Sequence, residues 1–297
     1  MTFLKKSPRS KLVSMEQAAS LVKDGMTVSI GGVHSHEAPA AFVREMIRTG
    51  VKDLTIVPSN AAGYQVDILI GAGAVRRLYN SYCGLDYLGA APNFRRYAEG
   101  GRLDVVEFEE MGLLRGLKAS AGGINFFALP DGFLGVDVWK VNPEFYQVIE
   151  DPFTGKKTVV VKPIRPEICI IHLPQCDEFG NGIEPGLPDV LHPAADYVIV
   201  TADEIVPNEY IQKHHREVTV LGHFVGSVVH VPFGAHPGQC SGQYVNDEKH
   251  LREYQTAAKD DASFKGYLDK YVMGKDQASY LKAVGEKQLA ALKEIGA

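Results

Sequence analysis

Short apolar and β-branched runs alternate with helical segments along the first third of the chain. Residues 26–30 predict a buried strand that ends at two glycines, and Pro39 opens a segment with apolar side chains at helical spacing. Residues 54–57 predict the next strand, and the alternation continues through strands near 78–82 and 103–108. Because strands that alternate with helices are typical of βαβ units, the sequence predicts an α/β fold with an open, mostly parallel sheet.

The second half of the chain departs from this alternation. Two β-branched runs at 146–149 and 158–161 flank a Pro/Gly turn, which predicts an inserted hairpin. Further strands are predicted near 168–171, 197–200 and 228–231, and C-terminal helices are predicted from about residue 246 onward. Since no linker-like stretch separates these segments, we expect residues 1–297 to form a single domain.

Charge and cysteine content exclude several classes of protein. The formal net charge is −5 and no basic stretch alternates with aromatics, so nucleic acid is not an expected partner. No apolar run reaches the roughly 18 residues of a membrane span, and residues 1–6 are not followed by the apolar region of a signal peptide. The well-separated cysteines predict reduced thiols and a cytoplasmic protein rather than disulfides or a zinc site. They are Cys83, Cys169, Cys176 and Cys240.

The loops that follow the predicted strands hold the candidate site. In open parallel sheets, ligands bind beyond the carboxyl ends of the strands, which here means the loops after residues 30, 57 and 108. The first of these loops begins with glycines, which allow close backbone approach to a ligand. We expect the substrate to be bound by Gly31, Gly32, His34, Ser35, His36, Ser59 and Asn60.

Two other kinds of site have weaker support. His34 and His36 could ligate a metal only with a third ligand from elsewhere, and the chain contains neither H-E-x-x-H nor paired cysteines, so no metal is expected. Residues 71–73 look like part of a dinucleotide fingerprint, but Arg76 stands where the third glycine is needed, and the segment predicts a helix end instead. The sequence contains neither a G-x-S-x-G elbow nor a P-loop.

Several segments, in their order and spacing, resemble the α subunits of family I CoA-transferases, especially those of the glutaconate type. They are D-G-M-T-V-S-I-G-G at 24–32, I-C-I-I-H with C-D-E-F-G-N-G between 168 and 182, D-E-I-V at 203–206, and V-P-F-G-A-H-P-G-Q-C at 231–240. The resemblance extends from about residue 15 to residue 275, nearly the whole chain.

This resemblance implies a three-layer α/β/α fold and a β-type partner subunit, in a heterodimer or an α2β2 assembly. In the family, the glutamate that becomes a glutamyl-CoA thioester belongs to the β-type half, and no β-type motif is found in this sequence. The chain is therefore expected to supply part of an active site. That site takes a coenzyme A thioester as substrate and holds no permanently bound cofactor.

Glu110 is the position at which the sequence departs from the family. The transferases have a glutamine, whose amide helps stabilise an oxyanion, before the helix that leads to a small-residue segment, here residues 119–123. Aligning back from that segment places Glu110, or its neighbour Glu109, at the glutamine. An ionised glutamate only accepts hydrogen bonds and would oppose an oxyanion. A similar substitution marks a related branch, the ring-opening CoA-thioester hydrolases, in which the glutamate is catalytic.

Three functions therefore stay open. The resemblance favours the α subunit of a CoA-transferase that acts on a short or dicarboxylic acyl-CoA. One alternative is a hydrolase that cleaves a carbon–carbon bond of a ring-type acyl-CoA, with Glu110 as base or proton shuttle. The other is a non-catalytic subunit that only completes a partner's site. Carboxylates in the first turn of a helix also complement its dipole, so Glu109 and Glu110 have a purely structural interpretation too.

Overall fold

A computed structural model of the chain describes residues 9–183 and 190–296. Residues 1–6, in which no signal peptide is expected, lie outside the described residues. The strands are β1 (Thr27–Ile30), β2 (Leu54–Pro58), β3 (Val75–Asn80), β4 (Asp104–Glu107), β5 (Phe127–Ala128), β6 (Tyr146–Glu150), β7 (Lys157–Val161), β8 (Ile168–Cys176), β9 (Gly182–Ile183), β10 (Tyr197–Ile205), β11 (Val218–Val220) and β12 (Val225–His230).

The helices cover both halves of the chain. They are α1 (Met15–Ala19), α2 (Ala40–Thr49), α3 (Tyr64–Gly71), α4 (Pro92–Glu99), α5 (Glu110–Ala121), α6 (Val138–Val141), α7 (Leu191–Ala194), α8 (Asn208–Lys213), α9 (Glu248–Ala257), α10 (Asp261–Tyr271), α11 (Gln277–Val284) and α12 (Glu286–Gly296). The predicted alternation of strands and helices is confirmed, and α9 to α12 are the C-terminal helices that the sequence predicts.

The main sheet is open and mostly parallel, as predicted. Its strands follow the order β12-β10-β8-β1-β2-β3-β4, and all of these neighbours run parallel. Short antiparallel pairings add β9 to the end of β8, and β11 to β9. Because β1 and β2 are adjacent and parallel, the loops that follow them leave the sheet at the same edge.

The third strand differs from its predicted bounds. β3 begins at Val75 and ends at Asn80, whereas the sequence predicted a strand at 78–82. Arg76 and Arg77 interrupt the apolar pattern at the start of this strand, although Val75 pairs with Leu54 of β2. Tertiary pairing, which the local pattern does not contain, therefore sets this boundary.

The inserted hairpin is confirmed. β6 and β7 pair antiparallel from Tyr146 opposite Val161 to Glu150 opposite Lys157, and β5 joins β7 on its other side. In the turn, the side chain of Asp151 accepts a hydrogen bond of 2.8 Å from the backbone N–H of Phe153. The hairpin and β5 form a separate three-stranded sheet, outside the main one.

The two faces of the main sheet carry two apolar cores. Along β8, Ile168 and Ile170 face a core that also contains residues of α2, α3 and α9, while Cys169 and Ile171 face a core built with α5 and the hairpin. This alternation follows from the two-residue period of a strand. Each fully buried large apolar side chain contributes about 1.5–3 kcal/mol. The result is the three-layer α/β/α arrangement that the resemblance implied.

A buried arginine connects α2 to the C-terminal region. Arg44 donates hydrogen bonds to the carbonyl of His236 (2.8 Å) and to Oε1 of Gln277 (2.9 Å). Its guanidinium carbon lies 3.6 Å from the ring centre of Tyr280 in α11. These contacts replace part of the water that a buried cation loses, and they hold α11 against α2.

Within the two described ranges, no helix has both the length and the apolar character needed to cross a membrane. No disulfide joins any pair of the cysteines among the described residues, and all four are buried.

Candidate functional site

Loops from β1, β2 and β4 come together at the carboxyl edge of the sheet. Ser59, after β2, donates its hydroxyl to the carbonyl of Gly32 (2.7 Å), and the backbone N–H of His34 donates to the carbonyl of Ala61 (3.0 Å). In the loop after β2, the side chain of Asn60 donates to Oε1 of Glu110 at the start of α5 (3.1 Å). The loop after β2 is thus hydrogen-bonded both to the loop after β1 and to the start of α5.

The loop after β1 has a backbone that only glycine tolerates at one point. Gly31 continues the strand pairing, because its N–H donates to the carbonyl of Ile170 (2.8 Å). Gly32 has φ +86°, and a Cβ added there would lie 2.6 Å from Cα of Ala38. His34 and Glu37 also have positive φ, at +54° and +48°. Non-glycine residues rarely adopt this conformation, so surrounding contacts must hold the loop.

Two buried polar atoms in this loop lack a hydrogen-bond partner among the described residues. They are Nδ1 of His34 and Oγ of Ser35, and Ser35 as a whole is 5% exposed. The His34 ring packs edge-on against Tyr82, with ring centres 5.0 Å apart. Buried polar groups nearly always have a partner, so unsatisfied ones are typical of positions where a ligand, a partner chain or water supplies it.

His36 is oriented by a residue far away in sequence. Its Nδ1 accepts a hydrogen bond of 3.0 Å from the side-chain amide of Gln239. An acceptor Nδ1 in a neutral imidazole leaves the proton on Nε2, so this contact selects one tautomer of His36.

Hydrogen bonds from the segment 233–241 hold the loop after β1 in place. Gln239 N–H donates to the carbonyl of Ser35 (2.8 Å), and Glu37 N–H donates to the carbonyl of Gln239 (3.1 Å). The carboxylate of Glu37 accepts hydrogen bonds from the backbone N–H of Ser241 (2.8 Å) and from its hydroxyl. Sequence reasoning singled out residues 231–240 as a family motif and gave them no site role. Their hydrogen bonding to the loop after β1 was therefore missed.

The two carboxylates at the start of α5 have different partners. Glu109 is the N-cap of the helix, and its Oε2 accepts from the backbone N–H of Met111 (2.9 Å) and Gly112 (3.3 Å). The structural interpretation is therefore correct for Glu109, which satisfies N–H groups that the helix leaves free. Glu110, the first residue of the helix, is exposed and bonds to Asn60 instead.

Two buried clusters elsewhere contain residue types that bind metals. One is His172, Asp203 and Cys240, and the other is His236, Asp247 and His250. Neither cluster includes His34 or His36, the pair that the sequence raised as possible ligands. Such a set of imidazole, carboxylate and thiol groups has the chemistry of a zinc site.

Both clusters are joined by hydrogen bonds within the protein. Nε2 of His172 lies 2.7 Å from Oδ2 of Asp203, and Nε2 of His236 lies 3.2 Å from Oδ2 of Asp247. Burial, reinforced by the neighbouring His236, lowers the pKa of His250 well below its ordinary value. A neutral His250 can therefore act as an ordinary buried hydrogen-bonding group.

The glycine-rich stretch at 71–73 is a helix end, as the sequence predicted. α3 ends at Gly71, Ala72 caps it, and Gly73 adopts φ +73° before β3 begins. A left-handed glycine just past a helix is a common way to terminate it.

Comparison with known proteins identifies relatives along nearly the whole chain. The family model for "Coenzyme A transferase" matches residues 12–230. An uncharacterized protein of Archaeoglobus fulgidus is 34% identical over 96% of this chain, and the match spans 65% of that protein's length. One of the subunits of glutaconate CoA-transferase from Acidaminococcus fermentans is 31% identical over 96% of this chain and 95% of its own length.

A further relative represents the hydrolase branch. The cholesterol ring-cleaving hydrolase IpdA subunit of Rhodococcus jostii is 29% identical over 95% of this chain and 99% of its own length. Among solved structures, the crystal structure of glutaconate coenzyme A-transferase from Acidaminococcus fermentans is similar with a TM-score of 0.88, at 30% identity and over 96% of each chain. With the family model covering most of the sequence, and with a relative above 30% identity matched over 96% of this chain, the chain belongs to the coenzyme A transferase family.

Proposed function

We propose that this chain is the α-type subunit of a CoA-transferase that moves CoA between short or dicarboxylic acids. The observation that carries the proposal is the match to one subunit of glutaconate CoA-transferase, over 96% of this chain and 95% of that relative. A relative that is itself named as one subunit implies that a second, β-type chain completes the active site, in a heterodimer or an α2β2 assembly.

The resemblance to family I CoA-transferases implies that the nucleophile belongs to that partner. A carboxylate oxygen of the β-type subunit forms a C–O bond to the thioester carbon of the acyl-CoA, and the carbonyl π electrons move onto oxygen. Collapse of this intermediate breaks the C–S bond and releases the CoA thiolate, leaving a mixed anhydride. The thiolate then attacks the glutamyl carbonyl of that anhydride, releases the acyl group as a carboxylate and leaves a glutamyl-CoA thioester. The same steps in reverse transfer CoA to the second acid.

The loops at the carboxyl edge of the sheet form the acyl side of this site. The proposed contacts come from Gly31, Gly32, His34, Ser35, His36, Ser59 and Asn60. Two features support them: the unsatisfied atoms of His34 and Ser35, and the hydrogen bond that joins Asn60 to Glu110. A substrate carboxylate or carbonyl would supply the missing partner of Ser35, which is a donor as well as an acceptor.

Three further expectations belong to this proposal. Residues 1–297 act as a single domain, which is supported by two apolar cores that share one sheet. The enzyme works in the cytoplasm, which is supported by four buried cysteines without disulfides among the described residues. It uses the CoA thioester as substrate and needs no permanently bound cofactor.

Reconstitution tests the split site. We expect the purified chain alone to transfer no CoA, and the complex with its β-type subunit to transfer it. Transfer is measured as the formation of a second acyl-CoA from a dicarboxylic acid, with release of the first acid. A catalytically dead β-type subunit, with its nucleophilic glutamate changed to alanine, is the matched control. Robust transfer by the isolated chain would contradict the split-site proposal.

Because position 110 is a glutamate, a ring-opening hydrolase is a second candidate function. If the enzyme is a transferase, Glu110→Gln keeps an acceptor, removes a negative charge, and should preserve or raise activity. If Glu110 moves a proton in a hydrolase, the same change should lower kcat by about 10²–10⁴-fold and remove one limb of the pH profile. Acyl-CoA binding is measured in parallel, and a collapse of activity with normal binding would favour hydrolysis.

A further inference from the structure

Asn60 makes one hydrogen bond through its backbone and one through its side chain. Its backbone carbonyl accepts a hydrogen bond of 2.6 Å from the hydroxyl of Ser81, and its side-chain nitrogen donates to Oε1 of Glu110 (3.1 Å). A carboxylate only accepts hydrogen bonds, so the side of the Asn60 amide that faces Glu110 must be the NH2 group. The orientation of this amide therefore follows from its partner.

Glu110 is free for this contact because Glu109 performs the capping. The Oε2 atom of Glu109 accepts from the backbone N–H of Met111 and Gly112. Glu110 starts the same helix and, although exposed, reaches the loop after β2, which is 50 residues away in sequence. The contact thus links two loops at the carboxyl edge where the acyl group is proposed to bind.

An amide nitrogen carries two hydrogens, and the contact with Glu110 engages one of them. We propose that the second N–H of Asn60 stabilises the oxyanion formed on the acyl-CoA carbonyl, and that Glu110 is a positioning residue that aims it. This inference rests on the proposed function, since only an acyl-transfer step creates that oxyanion. A donor fixed before the reaction stabilises developing charge without reorganisation.

The negative charge of Glu110 does not cancel this effect. Glu110 is exposed, so water and salt screen its repulsion of the oxyanion, whereas the N–H of Asn60 would bond to the oxyanion directly. Asn60 itself is half-buried, although its contact with Glu110 is exposed.

Variants of the complete complex with the β-type subunit test the assignment. Asn60→Ala should lower kcat by roughly 10²–10³-fold, the usual effect of removing one oxyanion donor, while KM stays within about threefold. Asn60→Asp keeps the shape but removes the donor, so it should lose at least as much. Asn125→Ala is the matched control, because Asn125 is exposed and lies beyond the far end of α5; it should behave as wild type.

Variants of Glu110 test whether this residue positions Asn60 by accepting its hydrogen bond. Glu110→Leu, which removes the acceptor, should lower kcat about tenfold without raising KM, an intermediate loss expected when a donor is present but misaimed. Glu110→Gln retains an acceptor oxygen and should be several times faster than Glu110→Leu. The double variant Asn60→Ala/Glu110→Leu should be no slower than Asn60→Ala alone, because residues that act as a unit are not additive.

The readout is formation of the glutamyl-CoA thioester on the partner, followed by mass spectrometry in single turnovers. Wild-type rates in the Asn60→Ala complex overturn the inference, and so does a Glu110→Gln variant as slow as Glu110→Leu. If the wild-type complex forms no thioester, the proposed function fails and this inference fails with it. If the wild type forms it and Asn60→Ala forms it equally fast, only the inference fails.

Discussion

Asp67 is a fully buried carboxyl group that connects three helices. It accepts hydrogen bonds from the backbone N–H of Phe94 (2.6 Å) at the start of α4 and from the hydroxyl of Tyr254 in α9 (2.6 Å). Burial nevertheless raises the pKa of Asp67 to about 6, because loss of water outweighs these donors. The residue therefore couples the stability of the molecule to pH.

The sign of this coupling follows from the raised pKa. Well below pH 4, Asp67 is protonated in both the folded and the unfolded chain, and its contribution to stability is complete. Between about pH 4 and pH 6 it ionises first in the unfolded chain, so folding loses on the order of 2–3 kcal/mol as the pH rises. We expect Asp67→Asn to remove this loss, because asparagine carries no charge at any pH.

Urea unfolding between pH 4 and pH 7 measures the effect as the difference in unfolding free energy between Asp67→Asn and wild type. That difference should shift in favour of the variant as the pH rises to 6, and then stay constant. Asp131→Asn, at an exposed aspartate, is the matched control and should follow the wild-type curve. A difference for Asp67→Asn that does not depend on pH would contradict the prediction.

At the scale of elements, α3 begins directly against the β1 loop. Gly63 is the N-cap of α3, and a Cβ added there would overlap the backbone carbonyl of His34. Because the clash is with backbone rather than with a flexible side chain, it can be relieved only by moving the loop. We expect Gly63→Ala to destabilise the fold by roughly 2–3 kcal/mol and to lower activity, since the displaced loop carries the proposed acyl contacts.

Gly132→Ala provides the comparison. A Cβ at Gly132 meets no atom within 4 Å, and this glycine does not have a positive φ. Its substitution should change the unfolding free energy by less than about 1 kcal/mol, with a small gain from the less flexible unfolded chain. Equal stability of the two variants in urea unfolding would contradict the prediction, because it would show that the loop after β1 moves aside without loss of stability.

These elements also mark how far sequence reasoning extends. The strands β1 and β2 and the hairpin of β6 and β7 were predicted because their apolar pattern and turn residues are local signals. The candidate loops followed from one topological rule, that ligands bind at the carboxyl ends of parallel strands. The contact of Gln239 with His36 could not be predicted in this way, because it joins residues 203 positions apart and depends on how two loops pack.

At the scale of the whole molecule, the main sheet separates two apolar cores that hold different elements together. The core on one face ties α2 and α3 to the C-terminal helices, and the core on the other face ties α5 to the hairpin. The proposed acyl site lies at the edge where elements of both layers converge, with α3 following the loop of Asn60 and α5 carrying Glu110. A rigid sheet between the layers is what keeps such loops in register.

The two His-containing clusters raise the question of whether this framework depends on a metal. Both ring nitrogens of His172 are hydrogen-bonded, to Thr201 (2.9 Å) and Asp203 (2.7 Å). Those of His236 lie 2.7 Å from the hydroxyl of Tyr280 and 3.2 Å from Asp247. These bonds satisfy the polar groups on burial without a cation. We therefore expect the complex with its β-type subunit to need no metal for stability or activity.

Exhaustive chelation of the complex, followed by metal analysis, tests this. A metal that bound the folded state would stabilise it by mass action, so its removal would lower the unfolding temperature. We expect the chelated complex to keep both its unfolding temperature and its rate of CoA transfer. His215→Ala, at an exposed histidine outside both clusters, controls for zinc that binds loosely at the surface. A loss of activity or stability that added zinc restores in wild type and in His215→Ala, but not in a His236→Gln variant, would instead assign a structural metal to the cluster of His236, Asp247 and His250.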